Sequence, residues 1–368
     1  MKNNSPTSPA SRQEPLLLPQ WEDALHTVTH FSQAPPITVI CGPKNSGKST
    51  FSRLLLNSLL ERYDKVGYLD TDVGQPEFSV PGVLSLHLLD ECISDLMNNS
   101  IREFKRCCFF GDISSKRDPE AYLNYARRLY DYFIEKYHHT NNDNNHQKPS
   151  LPLIINTPGW VKGTGFDVLV ELLRYVCPTH VIQMRISADS KNLPNGAFWL
   201  ADEQKGPLQV IELISFFTDS FNRSVVLTKN VLSLRESRLF NYFKQCFPES
   251  LSITTNKELA HALASIAPYE VQISQVNVIH LHCQVPESEV FHSLNGTIVG
   301  LAASFKRPMT PSKGCTPWCV GLGIVRGIDV KQGLLYVITP VPPFQLEQVD
   351  LLLQGFIEIP SSLLQVFP

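Results

Sequence analysis

The stretch ITVICGPKNSGKSTFSRLLL, Ile37 to Leu56, sets a β-branched apolar run, a glycine-bearing loop and an apolar run at helical spacing in direct succession. Gly42-Pro43-Lys44-Asn45-Ser46-Gly47-Lys48-Ser49 fits GxxxxGK[ST] without a gap. In that spacing the glycines let backbone N–H groups curl around phosphate oxygens. Lys48 reaches toward β- and γ-phosphates, and the Ser49 hydroxyl can join a Mg2+ shell. The helix that follows adds its positive dipole end. Nucleotide contacts are therefore expected from Gly42 through Thr50, with Lys48 an exposed loop cation that supports no core. A loop of this kind works between a strand and a helix, so it also dictates the fold around it.

The rest of the chain agrees with that demand. A strand at Ile37–Cys41, a helix at Lys48–Tyr63 and a strand at Lys65–Leu69 are followed by a helix over 117–137, with Asp118 as N-cap and Pro119 in its first turn. LPLIIN reads as a buried strand, VLVELLRYV as a helix and HVIQMR as another strand. This alternation predicts an α/β fold, a P-loop NTPase-like doubly wound parallel sheet. From about Val271 the pattern turns to strands: VQISQVNVIHLHCQV, GTIVGLAAS, CVGLGIVRGID, GLLYVITPVP and GFIEIP. The expected division is a tail and lead-in helix (1–34), a P-loop domain (35–265) and a smaller β-rich C-terminal domain (266–368).

Composition narrows the classes. A hydrophobic share of 43% supports sizeable cores, and a net charge of -3 excludes binding to nucleic acid through global charge while leaving room for a local basic groove. Nine cysteines without paired CxxC spacing suit a reducing compartment, and Cys315 and Cys319 read as structural. HHTNNDNNHQKPS reads as a solvated insertion despite its histidines. No apolar run is long enough to span a bilayer, and the polar, proline-rich N-terminus is unlike a secretory signal. A soluble intracellular protein with no membrane partner is expected.

In VGYLDTDVGQPEF, Asp70 and Asp72 close an apolar strand two residues apart, so their side chains leave on one side. At the carboxyl edge of a parallel sheet, that side can face the phosphate loop. One carboxylate would orient Mg2+ or its water, and the other would take a proton from an incoming hydroxyl, with Gln75 within hydrogen-bonding reach. Asn156-Thr157-Pro158-Gly159-Trp160 ends the next strand. A GTP switch would carry Asp at the first of these positions and an NKxD guanine motif elsewhere; TKN at 228–230 is not one. Trp160 suits either a stacking platform for a base or a core aromatic. Lys162, with Gly163 and Gly165, could supply a phosphate contact on a pliable backbone.

GPKNSGKSTFSR, YLDTDVGQPEF, FFGDISSKRDPEAY, INTPGWVKGTGFD and CVGLGIVRGIDVKQGLLYVITPVP together resemble the eukaryotic polynucleotide 5′-hydroxyl kinase family, over roughly residues 20 to 365. The nucleolar branch that acts in pre-ribosomal RNA processing is the nearer match; the sister branch is the kinase subunit of the messenger-RNA cleavage factor. The resemblance implies transfer of the ATP γ-phosphate to the 5′-OH of RNA, with ATP and Mg2+ as cofactors. It assigns Lys48 and Ser49 to phosphate and metal, Asp72 to the general base, and Asp70 and Gln75 to its support. Thr157, Gly159 and Trp160 fall on the loop that clasps the terminal nucleotide. Arg235 and Arg238, in LRESRL, resemble the lid over the transferred phosphoryl. An endonuclease partner in pre-rRNA processing and a nuclear, nucleolar location are implied as well. Family members carry a β domain ahead of the kinase core that helps enclose the adenine; here the first expected strand opens at Ile37, which leaves base recognition open. A non-catalytic ATP-binding scaffold is the competing reading, and it predicts nucleotide binding without transfer.

Overall fold

A computed structural model describes residues 18–94, 101–138, 150–200, 209–215, 231–304 and 317–364. Residues 139–149 of the polar insertion, the TKN triplet and Cys315 lie outside the described residues.

The chain opens with α1 (Pro19–Thr29), β1 (Ile37–Cys41), α2 (Lys48–Leu60) and β2 (Val66–Asp70). β3 (Val83–Leu89) and β4 (Arg106–Phe109) precede α3 (Pro119–Tyr137), β5 (Leu153–Asn156), α4 (Thr164–Val176), β6 (His180–Arg185) and β7 (Gln209–Ile214). Next come α5 (Val231–Lys244) and α6 (Asn256–Ser265). The β-rich end holds β8 (Tyr269–Gln272), β9 (Asn277–His280), β10 (Thr297–Ala303), β11 (Trp318–Asp329), β12 (Leu334–Ile338) and β13 (Leu351–Gln354).

Strands β7-β6-β1-β5-β2 pair in parallel, the arrangement the alternation demands. Helices cover both faces. Trp21, Ala24, Leu25 and Val28 of α1 pack with Phe51, Leu55 and Leu56 of α2 on one side, and α3 and α4 cover the other. Each fully buried Leu or Phe here contributes about 1.5–3 kcal/mol. Trp21 meets Phe51 edge to face at 5.4 Å, and its indole N–H donates to Ile214 O at 3.1 Å, tying α1 to β7. Asp118 caps α3 as expected, accepting from Ala121 N.

Beyond β2 the sheet changes sense. β3 and β4 add antiparallel, and Cys107 of β4 then pairs with Cys319 of β11. The ladder thus runs on across the boundary expected near residue 265, through β10, β13 and β9, with β12 and β8 branching from β11. GFIEIP, expected as a strand, is not one; the strand is LLLQ just before it. A Cβ on Gly355 would lie 2.3 Å from Gly111 O, so the two backbones press together there and the ladder ends. Ile357 and Ile359 are buried by packing instead. Among the described residues no helix is long and apolar enough to cross a membrane.

Candidate functional site

The phosphate loop springs from the end of β1. Gly42 has φ +139° and faces β6, where a Cβ would lie 2.3 Å from Met184 O, so no side chain fits. Asn45 and Gly47 also hold positive φ. Ser46 Oγ donates to Pro43 O at 2.9 Å and closes the loop on itself. Lys48 is not the exposed cation expected. As the first residue of α2 its stem lies beneath the loop, 8% exposed, and Nζ donates to Gly42 O (3.0 Å) and Pro43 O (2.7 Å). Burial pulls its pKa down to about 8, with Asp72 opposing. Lys44 and Asn45 are exposed, and Ser49 and Thr50 half-buried. Ser49 Oγ takes part in no hydrogen bond among the described residues.

The two carboxylates are not equivalent. Asp70 is wholly buried; it accepts from Glu77 N, from Asp72 N at 3.2 Å and from Asn156 Nδ2 at 3.2 Å. Burial pushes its pKa up to about 7, against the Glu77 amide, which favours the charged form. Asp72 is half-buried. Its Oδ1 accepts from Gly74 N and Gln75 N, both at 3.0 Å, while Oδ2 takes no hydrogen bond among the described residues. Asp70 therefore anchors the turn and Asp72 heads it, with Gln75 contributing its backbone amide.

Glu77 escaped the sequence reading. Its carboxylate pairs with Arg53 of α2, Nε to Oε1 at 2.5 Å, and its carbonyl accepts from Arg238 Nη1 at 2.6 Å. Arg235 Nε donates to Gly74 O at 2.9 Å. Arg235 and Arg238 both reach the turn from α5, but Arg238 is buried and Arg235 half-buried. The available signal was Arg53 itself, a cation amid FSRLLL on the face of α2 that must be buried.

The loop after β5 closes the other side. Thr157 is buried and its hydroxyl donates to Ile40 O at 2.8 Å, so it secures the loop against β1. Gly159 presses on the phosphate loop, where a Cβ would lie 2.5 Å from Lys44 Cγ. Trp160 is half-buried, edge to face with Tyr122 at 5.0 Å and lying over Gly165. Tyr122 OH donates to Thr71 O at 2.7 Å, linking Trp160 to the segment between the two aspartates. Lys162 is exposed. Among the described residues, no group of three or more His, Cys, Asp or Glu side chains is arranged to hold a metal.

This fold and site define a P-loop nucleotide-binding protein. Residues 42–209 match the family model described as mRNA cleavage and polyadenylation factor CLP1 P-loop, and residues 264–360 match that of the NOL9-like C-terminal domain. The chain is 50% identical over 361 residues to polynucleotide 5′-hydroxyl-kinase NOL9 of Arabidopsis thaliana, covering 98% of this chain and 95% of that one. It is 31% identical to the Bos taurus protein of the same name, over 90% of this chain and 51% of that one. With grc3 of Schizosaccharomyces pombe the identity is 28%, over 83% and 45%. It thus spans about half the length of those animal and yeast relatives. A solved structure, the wild-type Clp1p–Pcf11p (454–563) complex, shares the fold with a TM-score of 0.60 at 14% identity, over 91% of this chain and 77% of that one. The chain belongs to the NOL9 family of polynucleotide 5′-hydroxyl kinases.

Proposed function

We propose that this chain transfers the γ-phosphate of ATP to the 5′-OH of RNA, at ends left when an endonuclease cuts the internal spacer of precursor ribosomal RNA. The observation that carries this reading is the Asp72 turn. A half-exposed carboxylate stands at a strand end beside the phosphate loop, electrostatically coupled to Lys48 and held by arginines from α5.

In the reaction the loop amides and Lys48 hold the β- and γ-phosphates. The terminal nucleotide of the acceptor sits against Trp160, with Gly159 allowing the close approach of its loop. The 5′-oxygen attacks phosphorus while its proton passes to Asp72, and the bond to the β–γ bridging oxygen breaks to release ADP. Arg235, half-exposed above Gly74, meets the charge that spreads over the phosphoryl oxygens. Ser49 and, through a water, Asp70 are hard oxygen donors that would hold Mg2+, which would supply positive charge against the phosphoryl group being transferred. No protein cage of carboxylates is needed for an ion held that way.

The reading extends to a nuclear, nucleolar site of action and to an endonuclease partner recruited by the β-rich region of residues 266–368. Incubation with ATP and a 5′-hydroxyl RNA tests the activity. The product should become a substrate for a 5′-phosphate-requiring exonuclease. Nucleotide binding without that conversion would establish the scaffold reading instead.

A further inference from the structure

The loop that follows β4 faces two ways. On its inner side it is wedged against the catalytic turn, since a Cβ on Gly74 would lie 2.9 Å from Ile113 O. On its outer side it carries an aromatic and cationic shelf to which the β-rich end of the chain contributes. Gly111 has φ +74° and meets Gly355 backbone to backbone, and Phe356 N donates to Gly111 O at 2.6 Å. These contacts fix Phe356, which is 45% exposed. His282 lies parallel to it, centroids 5.9 Å apart and planes 17° apart, with Nε2 bonded to Phe110 O at 2.6 Å. Arg117 places its guanidinium 4.4 Å from the Phe356 centroid. Asp112 orients that guanidinium by accepting from Nε at 2.5 Å, while the arginine side chain stays 52% exposed. Lys116 beside it is exposed, as is Ile113 between the turn and the shelf.

We propose that Phe356, His282 and Arg117 form a binding shelf for nucleotides downstream of the acceptor's 5′ end, single-stranded RNA running from the Asp72 turn across loop 111–117. The proposal rests on the reading of this chain as an RNA kinase. An exposed ring such as Phe356, backed by the half-buried His282, stacks bases of any identity, and a guanidinium offers both a stacking plane and a phosphate partner. With a net charge of -3, attraction to RNA has to come from local cations, and Lys116 and Arg117 supply them on this path. The glycine pair and the Asp112 contact hold the shelf ready, which lowers the ordering cost of binding.

The test is a length series. Fluorescence anisotropy with the full chain and 5′-hydroxyl oligoribonucleotides of two to ten residues measures Kd, and phosphoryl transfer to the same oligomers is measured in parallel. The wild-type Kd should tighten in a step once the strand is long enough to cover the shelf. Phe356→Ala and Phe356→Leu should both lose that step, weakening the longest oligomer about tenfold and the dinucleotide hardly at all. Leu keeps apolar bulk without a ring face, so it separates stacking from packing. Arg117→Gln should shrink the step and its salt dependence. A step that survives both Phe356 variants overturns the shelf. So does an equal loss at every length, because Phe356 would then act through the catalytic turn, or a wild type without a step. A binding step with no transfer by the wild type would refute the kinase reading and leave the shelf standing.

Discussion

Glu77 joins three parts of the site, and Glu77→Gln tests whether that joint holds the Asp72 turn. Its carboxylate meets Arg53 of the nucleotide-loop helix, its amide meets Asp70, and its carbonyl meets Arg238 of α5. Arg53, Glu77 and Arg238 are 6%, 3% and 7% exposed, so water cannot take over from a lost partner. Glutamine keeps the volume and both backbone contacts but strands the Arg53 charge. Breaking a buried pair costs about 3–5 kcal/mol, and the retained contacts put this case near about 3. For a chain of 368 residues that lowers Tm by about 4 °C. Adding Arg53→Met to the variant removes the stranded cation and should restore at least half of the loss. Thermal melts followed by circular dichroism give the comparison, with kcat measured on the same preparations. Because the Asp70–Asp72 turn hangs from Glu77, kcat should fall more than ATP binding weakens. A Glu77→Gln protein that melts within about 1 °C of wild type, with no gain from Arg53→Met, would refute the joint.

Asp72→Asn should keep nucleotide binding and lose transfer by at least about a hundredfold, the scale of a general base; if Asp70→Asn proves the more damaging while sparing ATP binding, the two roles are reversed. Arg235→Lys should lower the single-turnover rate at saturating ATP and RNA without moving Tm, whereas Arg238→Lys should lower both, since Arg238 is buried on the Glu77 carbonyl. A pH dependence follows from His87, wholly buried between Glu103 O and Ser85 Oγ, its pKa held down at about 4 by burial. The unfolded chain takes up that proton near pH 6.5 and the folded chain near 4, so this stability is complete above pH 6.5 and is lost as pH falls through that window. The loss totals about 3 kcal/mol, and urea midpoints of His87→Gln should fall less steeply than those of wild type between pH 6.5 and 4.

What the sequence made legible was local. The phosphate loop, the strand ends at Asp70 and Asn156 and the Asp118 cap of α3 each rest on a few adjacent residues whose types serve one backbone geometry. What stayed hidden depends on contacts between distant segments. Arg53 and Glu77 lie 24 residues apart and meet through packing. In isolation Arg53 reads as a buried cation with no partner named, and Glu77 as part of a turn. Lys48 looked exposed because the loop pattern carries no information about the carbonyls that enclose its ammonium. The antiparallel β3 and β4 were overlooked because βα alternation directs attention to parallel crossovers. Helix α6 carries a complete capping box in Thr255 and Glu258, a local signal that the sequence reading passed over. LLLQ and GFIEIP each carry three large apolar side chains, and the backbone approach of Gly111 to Gly355 marks where the pairing stops.

The central claim is that this site moves a phosphoryl group to a 5′-hydroxyl through the Asp72 turn. The most direct measurement supplies γ-labelled ATP with two RNAs of one sequence, one ending in 5′-OH and the other in 5′-phosphate, to wild type, Lys48→Ala and Asp72→Asn proteins. Label should appear on the 5′-hydroxyl RNA with the wild type, and at background elsewhere. Equal labelling by the Lys48→Ala or Asp72→Asn protein, or label released as free phosphate with none on RNA, would contradict the account.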